Sequence, residues 1–373
     1  MRYIIRTALL LTLMLLAVAC GQSQNASTSD DSPTVAAEAD PEAQPDPEAQ
    51  PDPEAEGASD EIMGEGGLVI YSGRSETLVG PVIEMFEEES GIDVQVRYGE
   101  TAEMAATILE EGQNSPADIY YGQDAGALGA LANEGRLTVL PTDLLESVEA
   151  RFRSQEGEWV GVTGRARVVV YNTEALSEAD MPASILDFTD PRWAGKLGWA
   201  PTNGSFQAFV TALRASLGEE AAREWLEGIQ ANQPKVYSNN SAIVDAVVSG
   251  EIEAGFVNHY YLLRLLKESG GELPAANYYF PTADIGNLIN VAGVGILDTA
   301  RHQEAAEQFV RFLLSEEAQR YFANETDEYP LAAAVPTASD VVPLADIPTP
   351  EIDLNKLQDL DGTLELLLEL GIL

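Results

Sequence analysis

The sequence predicts an α/β protein of two lobes, each built on a mainly parallel sheet, and three observations carry that expectation. Between residues 67 and 135, short β-branched runs alternate with runs whose apolar residues recur at helical spacing. The same alternation resumes at residue 196, and the long β-branched run "VGVTGRARVVVYN" (160–172) joins the two series. Strand–helix–strand alternation of this kind marks parallel strands covered by helices on both faces. The roughly 310 residues from 64 onward are enough for two lobes with real cores.

Taken in order, "GLVIYS" (67–72) is a short apolar strand. It is followed by "ETLVGPVIEMFEEESG", where Leu78, Val82, Met85 and Phe86 fall on one helical face and Gly91 ends the run. "IDVQVRYG" alternates with period two, "TAEMAATILEEG" is helical, "ADIYYG" is a strand and "AGALGALANEG" a helix. After the long run come "KLGWA", the helices "SFQAFVTALRASLG" and "EEAAREWLEGIQ", "KVYSN", the helix "SAIVDAVVSGE", and the strand "IEAGFVN". "DIGNLINVAGVGIL" (284–297) is again strand-like, and the helical runs "RHQEAAEQFVRFLLSEEAQRYFAN" and "TLELLLELGIL" close the chain. The expected organisation is lobe 1 at 66–165, completed by part of 284–373, and lobe 2 at 166–283, with the helices of 298–373 packed on the lobes. Hinges fall near 164–170 and 281–290. A small-molecule site belongs in the crevice between the lobes, outside the carboxyl ends of the strands.

The first twenty residues, "MRYIIRTALLLTLMLLAVAC", have a basic start, an apolar stretch short for a membrane span, and small residues ending on Cys20. That is the pattern of a secretory signal, with 1–19 as the signal peptide. The placement of the single cysteine resembles a bacterial lipobox, in which Cys20 becomes the lipidated first residue of the mature chain; an ordinary cleaved signal is the alternative. One cysteine cannot pair within the chain. Residues 20–64 repeat "DPEAQP" from Asp40 to Pro51, and frequent proline with self-repelling acids predicts an extended acidic tether.

Sixty-two acidic against twenty basic residues give a formal net charge of −42, which excludes nucleic acid as a partner. Enzyme markers are missing: there are two histidines, His259 and His302, and no nucleophile elbow, phosphate loop or zinc-protease motif. "GEGG" (64–67) precedes its strand, the wrong order for a dinucleotide fingerprint. The unusual residues lie instead at four strand-to-helix junctions: "YSGRSET" (71–77), "YYGQDAG" (120–126), "PTNGSFQ" (201–207) and "SNNSAIV" (238–244). Each supplies helix caps first. Helix starts also offer free N–H groups, so several converging on one cleft would bind an anion.

Five segments together carry a resemblance: "LVIYSGRSETLVGPVIEMFEEESGI", "PADIYYGQDAGALGAL", "RARVVVYN", "LDFTDPRWAGKLGWAPTNGSFQAF" and "SNNSAIVDAVVSGEIEAGFVNHYYLLRL". They resemble the ferric-ion-binding proteins of bacterial ABC importers, over essentially all of 66–373, most specifically in "N-x-Y-Y" at 258–261. The resemblance implies a bilobal periplasmic-binding-protein (Venus-flytrap) fold closing on Fe³⁺ as cargo. It further implies a permease and ATPase as partners and a monomer working at the outer face of the cytoplasmic membrane.

The chemistry supports this independently. Ferric iron is a hard cation whose natural ligand is anionic oxygen, and a phenol becomes that ligand when the metal drives off its proton. Tyr260 and Tyr261 would face opposite ways in a straight strand, but at a strand-to-helix bend both can enter the cleft. Two other pairs, Tyr120–Tyr121 and Tyr278–Tyr279, show that the dipeptide alone is weak evidence.

Relatives that add a histidine and a glutamate carry them where Ser75 and Gln123 stand here. Another branch takes a tyrosine from the crossover, here Tyr171. The resemblance thus implies a metal set of Tyr171, Tyr260 and Tyr261, completed by carbonate or bicarbonate. Arg74 and Arg167 are the expected anion hosts through forked hydrogen bonds, with an ion pair to a carboxylate as the alternative role. Asn203, Gly204, Ser205, Asn240 and Asn258 match anion-contacting positions, and Ser75, Tyr121 and Gln123 are further cleft candidates. A same-fold receptor for thiamine, polyamine or an oxyanion is the second reading, with Tyr71, Tyr121, Tyr237 and Trp199 as an aromatic cage for an organic cation, or the helix N-termini alone for an anion. A secreted enzyme without a recognisable motif is the third.

Overall fold

The computed structural model describes residues 67–373, which lie in one compact unit. The expected signal peptide, Cys20 and the acidic tether fall outside the described residues.

The first lobe follows the alternation read from the sequence: β1 (Leu68–Ser72), α1 (Glu76–Ser90), β2 (Val94–Tyr98), α2 (Thr101–Glu111), β3 (Ile119–Gly122), α3 (Ala125–Asn133) and the short α4 (Thr142–Glu146). β1 pairs in parallel with both β2 and β3. All five residues of β1 are buried, as expected of a strand covered on both faces. Gly91, at φ 69°, ends α1 in the left-handed conformation that glycine adopts without strain.

β4 (Val160–Asn172) then leaves the lobe, fully buried along its length. The second lobe contains β5 (Leu197–Trp199), α5 (Gly204–Leu217), α6 (Glu219–Ala231), β6 (Lys235–Val236), α7 (Asn240–Val248), β7 (Ala254–Asn258), α8 (Tyr260–Ser269) and β8 (Ala275–Tyr278). β5 is parallel to both β6 and β7. The chain returns through β9 (Ile289–Ile296), α9 (Gln303–Leu313), α10 (Glu316–Glu325), β10 (Tyr329–Pro330) and finally α11 (Leu360–Glu369). The single helical run expected over 301–324 is two helices, because the Ser315 side chain caps a new start by accepting from the Ala318 N–H.

β4 belongs to both lobes. Its first half, Val160–Ala166, runs antiparallel to β9, and its second half, Arg167–Asn172, runs antiparallel to β7 and β8. The sheet order is β2-β1-β3-β9-β4-β7-β5-β6. Antiparallel strands therefore make the crossing, and the parallel strands lie to either side. Each side has its own aromatic core: Phe86 packs edge-on against Phe309 at 5.1 Å, while Trp225 meets Phe209 and Phe256 at 5.6 Å.

A third connection comes from the C-terminal segment. Residues 354–358 lie on α3, where a Cβ at Gly126 would sit 2.5 Å from the Leu357 carbonyl oxygen, so only glycine admits this approach. Trp159 Nε1 donates to Asn355 Oδ1 at 2.9 Å. The chain then crosses to lobe 2, where α11 packs on α5 through Thr211–Thr363 (2.8 Å) and Arg214 Nη1 donates to the Asp359 carbonyl (2.9 Å).

The crossing is pinned at His259. Its backbone N–H donates to the Ala166 carbonyl at 3.0 Å, and its Nδ1 accepts from the Ala166 N–H at 3.2 Å. Nε2 must then carry the proton and donates it to the Asp327 carbonyl at 2.8 Å. The ring is fully buried and stacks on Tyr329 at 4.5 Å. Burial holds its pKa down to about 4, against the Asp327 carbonyl and Glu328 pulling it up. The folded state keeps the imidazole neutral, so its contribution is present above pH 6.5 and is lost as pH falls towards 4. Urea titrations at pH 7 and 4.5 should show wild type losing about 2 kcal/mol more than His259→Gln over that interval; equal losses would mean the ring does not titrate with folding.

Candidate functional site

β7 ends at Asn258 and α8 begins at Tyr260, so the tyrosine pair occupies the first turn of a helix, pointing away from the strand ladder. The two rings stack with centroids 4.4 Å apart and planes at 29°, and are 1% and 5% exposed. The bend thus places both phenols on one side, as the sequence suggested. The Arg264 guanidinium lies 4.6 Å from the centroid of the Tyr260 ring.

Across the β4–β7 ladder, Arg167 stands directly opposite Asn258. Its Nη2 donates to the Phe256 carbonyl at 2.9 Å and its Nη1 to Ser205 Oγ at 3.4 Å, while its buried Nε has no partner. Among the described residues no carboxylate pairs with it. Burial draws its pKa down to about 9, with Tyr261 and Tyr260 the only groups pushing back. A guanidinium desolvated without a counter-charge is the arrangement an incoming anion relieves.

The helix starts beside it supply further polar groups. Asn203, the cap of α5, accepts from Ser205 N (3.1 Å), Ser205 Oγ (2.6 Å) and Asn240 Nδ2 (3.1 Å), and Asn240 Nδ2 also donates to Ser205 Oγ at 3.1 Å. A Cβ at Gly204 would meet no atom within 4 Å. Arg167, Asn203, Ser205 and Asn240 therefore form one connected network at the starts of α5 and α7.

Tyr171 does not join this group. The register sets it opposite Ala254 and Ala276, at the far end of β7 from Asn258. Four residues of strand separate it from Arg167, about 13 Å at 3.3 Å per residue. The structure thus overturns its expected placement beside Tyr260 and Tyr261.

Arg74 is also differently engaged. Its Nη1 and Nη2 donate to the two oxygens of Glu328 at 3.0 and 2.9 Å, with both side chains buried, so the fork expected to hold an anion is already filled by a carboxylate. Burial alone would raise the Glu328 carboxyl, but the Arg74 guanidinium carries it down to about 2. Tyr121 is fully buried beneath Arg74, 5.9 Å from its guanidinium carbon. The Gln123 carbonyl accepts from Arg165 Nη2. Ser75 Oγ lies 3.2 Å from Thr77 Oγ1 and makes no cap bond, unlike Asp124, Asn203 and Asn239 at the other three junctions. Glu328 and Arg165 had no local signal in the sequence, since each owes its role to a distant partner.

Among the described residues no group of three or more His, Cys, Asp or Glu is placed to hold a metal. The four aromatics of the cage alternative each have a partner within their own lobe. Tyr71 bonds Glu111, Tyr237 bonds Glu251, Tyr121 lies under Arg74, and Trp199 packs on Phe206.

Comparisons with known proteins agree with the fold. The family profile for bacterial extracellular solute-binding proteins matches residues 114–353. The chain is 31% identical over 309 residues to the Fe(3+)-binding periplasmic protein of Serratia marcescens, covering 82% of this chain and 91% of that one. Iron-bound HitA from Pseudomonas aeruginosa superposes with a TM-score of 0.76 at 34% identity, covering 82% of this chain and 99% of its own. The Trichodesmium protein IdiA (FutA), in complex with iron and citrate, superposes with a TM-score of 0.73 at 26% identity over the same shares. The solved structures are bilobal, as this chain is. The chain belongs to the family of bacterial extracellular solute-binding proteins.

Proposed function

We propose that this protein is an extracytoplasmic receptor that captures Fe³⁺ as cargo for an ABC importer, binding it through the phenolates of Tyr260 and Tyr261 with a small oxyanion held on Arg167. The observation that carries the reading is the stacked, buried tyrosine pair facing a buried guanidinium that has no carboxylate. Two phenolates leave one charge of Fe³⁺ to balance; carbonate would balance it and the Arg167 guanidinium together, and bicarbonate would balance one of the two. The relatives named for ferric iron and the iron-bound structures support the choice of metal. They support work alongside a permease and ATPase equally.

In this reading the protein's own groups divide the task. Tyr260 and Tyr261 supply anionic oxygen from the first turn of α8. Arg167 favours loss of their protons and orients the anion. Asn203, Ser205 and Asn240 hold the Arg167 end of that anion with neutral dipoles. Because the donors come from lobe 2 and the wall opposite from lobe 1, closure gains affinity only when cargo is present. That difference between open and closed states is what a membrane partner would sense. Cys20 would anchor the receptor by lipidation, with the acidic tether as spacer.

Chelated ferric iron added to residues 61–373 in bicarbonate buffer should give a visible charge-transfer band that saturates at about one iron per chain. Tyr260→Phe with Tyr261→Phe should abolish the band and weaken iron binding more than about a hundredfold, beyond what loss of an outer partner costs. Tyr171→Phe should leave the band in place. A silent wild type would refute the ferric reading and turn attention to organic cations and oxyanions.

Arg167→Gln should weaken iron retention about 10- to 100-fold in bicarbonate buffer, with a smaller loss when bicarbonate is withheld. Arg167→Lys should recover only part, because a single ammonium cannot present a fork to a planar oxyanion. Equal losses with and without bicarbonate would show that Arg167 does not host the anion.

For the anchor, metabolic labelling with palmitate should mark the full-length chain and fail to mark Cys20→Ser, which should be recovered from the soluble extracytoplasmic fraction. Unchanged membrane association of the variant would exclude a lipid at this position.

A further inference from the structure

Arg74 and Arg167 are both buried, and their surroundings differ in kind. Arg167 has neutral partners only: the Phe256 carbonyl and Ser205 Oγ, with Nε unpartnered. Arg74 has both prongs of its fork on Glu328, and only Nε is left over. Both Arg74 and Glu328 are buried, at 1% and 2% exposure, and 254 residues of chain separate them. Thr326 Oγ1 steadies the carboxylate from the other side at 3.3 Å. An anion reaching Arg167 therefore meets a guanidinium with no carboxylate on it, whereas one reaching Arg74 finds both prongs of the fork already taken.

Resting on the ferric reading above, we propose that Glu328 is the residue that sets the class of anion accompanying the cargo. By filling the Arg74 fork it withdraws that arginine from anion recognition, so the site accepts a small oxyanion spanned by Arg167 and the Asn203–Ser205–Asn240 network and rejects a tricarboxylate. A tricarboxylate needs cationic hosts at more than one carboxylate, and with the Arg74 fork taken by Glu328 one of those hosts is withheld, which discriminates between ligands. The role is one of positioning and exclusion, because Glu328 acts through Arg74.

The test is a count of bound anion. Residues 61–373 are loaded either from ferric citrate or from ferric nitrilotriacetate in bicarbonate, desalted, and assayed for iron by the visible band and for citrate by mass spectrometry. Wild type should keep iron but retain citrate on fewer than about one chain in ten. Glu328→Gln frees the Arg74 fork and should retain about one citrate per iron, a change of at least about tenfold in the citrate-to-bicarbonate preference. Glu328→Asp, which restores the carboxylate, should return the preference towards wild type. Loss of packing alone would lower iron retention without adding citrate. Wild type that keeps one citrate per iron overturns the proposal and leaves the ferric reading standing; this arm decides the matter even where Glu328→Gln fails to fold. A folded Glu328→Gln with an unchanged ratio also overturns it. No visible band from either iron source overturns the ferric reading and this proposal together.

Discussion

Burying a charge is costly unless something answers it, and the two buried arginines Arg74 and Arg167 show both outcomes of that rule. Arg74 is answered within the protein by Glu328, and the pair becomes part of the wall. Arg167 is answered only by dipoles and by the neighbouring phenols, so its position makes energetic sense when an anion or ionised tyrosine is at hand. The network of Asn203, Ser205 and Asn240, the stacking of Tyr260 on Tyr261, and the bend between β7 and α8 are all arranged around that one unanswered charge.

The bend depends in turn on His259. The same imidazole accepts a hydrogen bond from the Ala166 N–H and donates one to the Asp327 carbonyl, so a single ring satisfies backbone groups of β4 and of the segment before β10. It sits immediately ahead of the tyrosine pair and immediately beside the residue where β4 passes from one lobe to the other. The geometry of the cleft and the geometry of the crossing are fixed by the same few hydrogen bonds, which is how a change between the lobes can be felt at the phenols.

Much of this was legible in the sequence where the cause is local. The parallel strands were readable from short β-branched runs, α1 from its apolar spacing and Gly91, and the bend at Tyr260 from the switch of period after Asn258. Long-range causes were not legible. Tyr171 was expected beside the pair because its motif suggested it, but the β4–β7 register sends it the other way, and register is a property of two strands far apart in sequence. Arg74 looked like an anion host by its junction, and the carboxylate that claims it lies 254 residues later among many acids that gave no hint of their roles. Ser315 was overlooked because a serine inside an apolar repeat reads as a surface position until its side chain is seen to cap a new helix.

The path of the chain between the lobes has one more consequence. β4 crosses once, the stretch from β8 to β9 crosses back, and the C-terminal segment crosses again from α3 to α5, where Thr363 and Asp359 fasten it. Two bodies tied by three covalent passages, with one strand common to both sheets, cannot melt independently, because losing either removes the pairing partners of the other. In denaturant this molecule should behave as one cooperative object despite having two cores, and neither half can be cut out as a module and expected to stand alone.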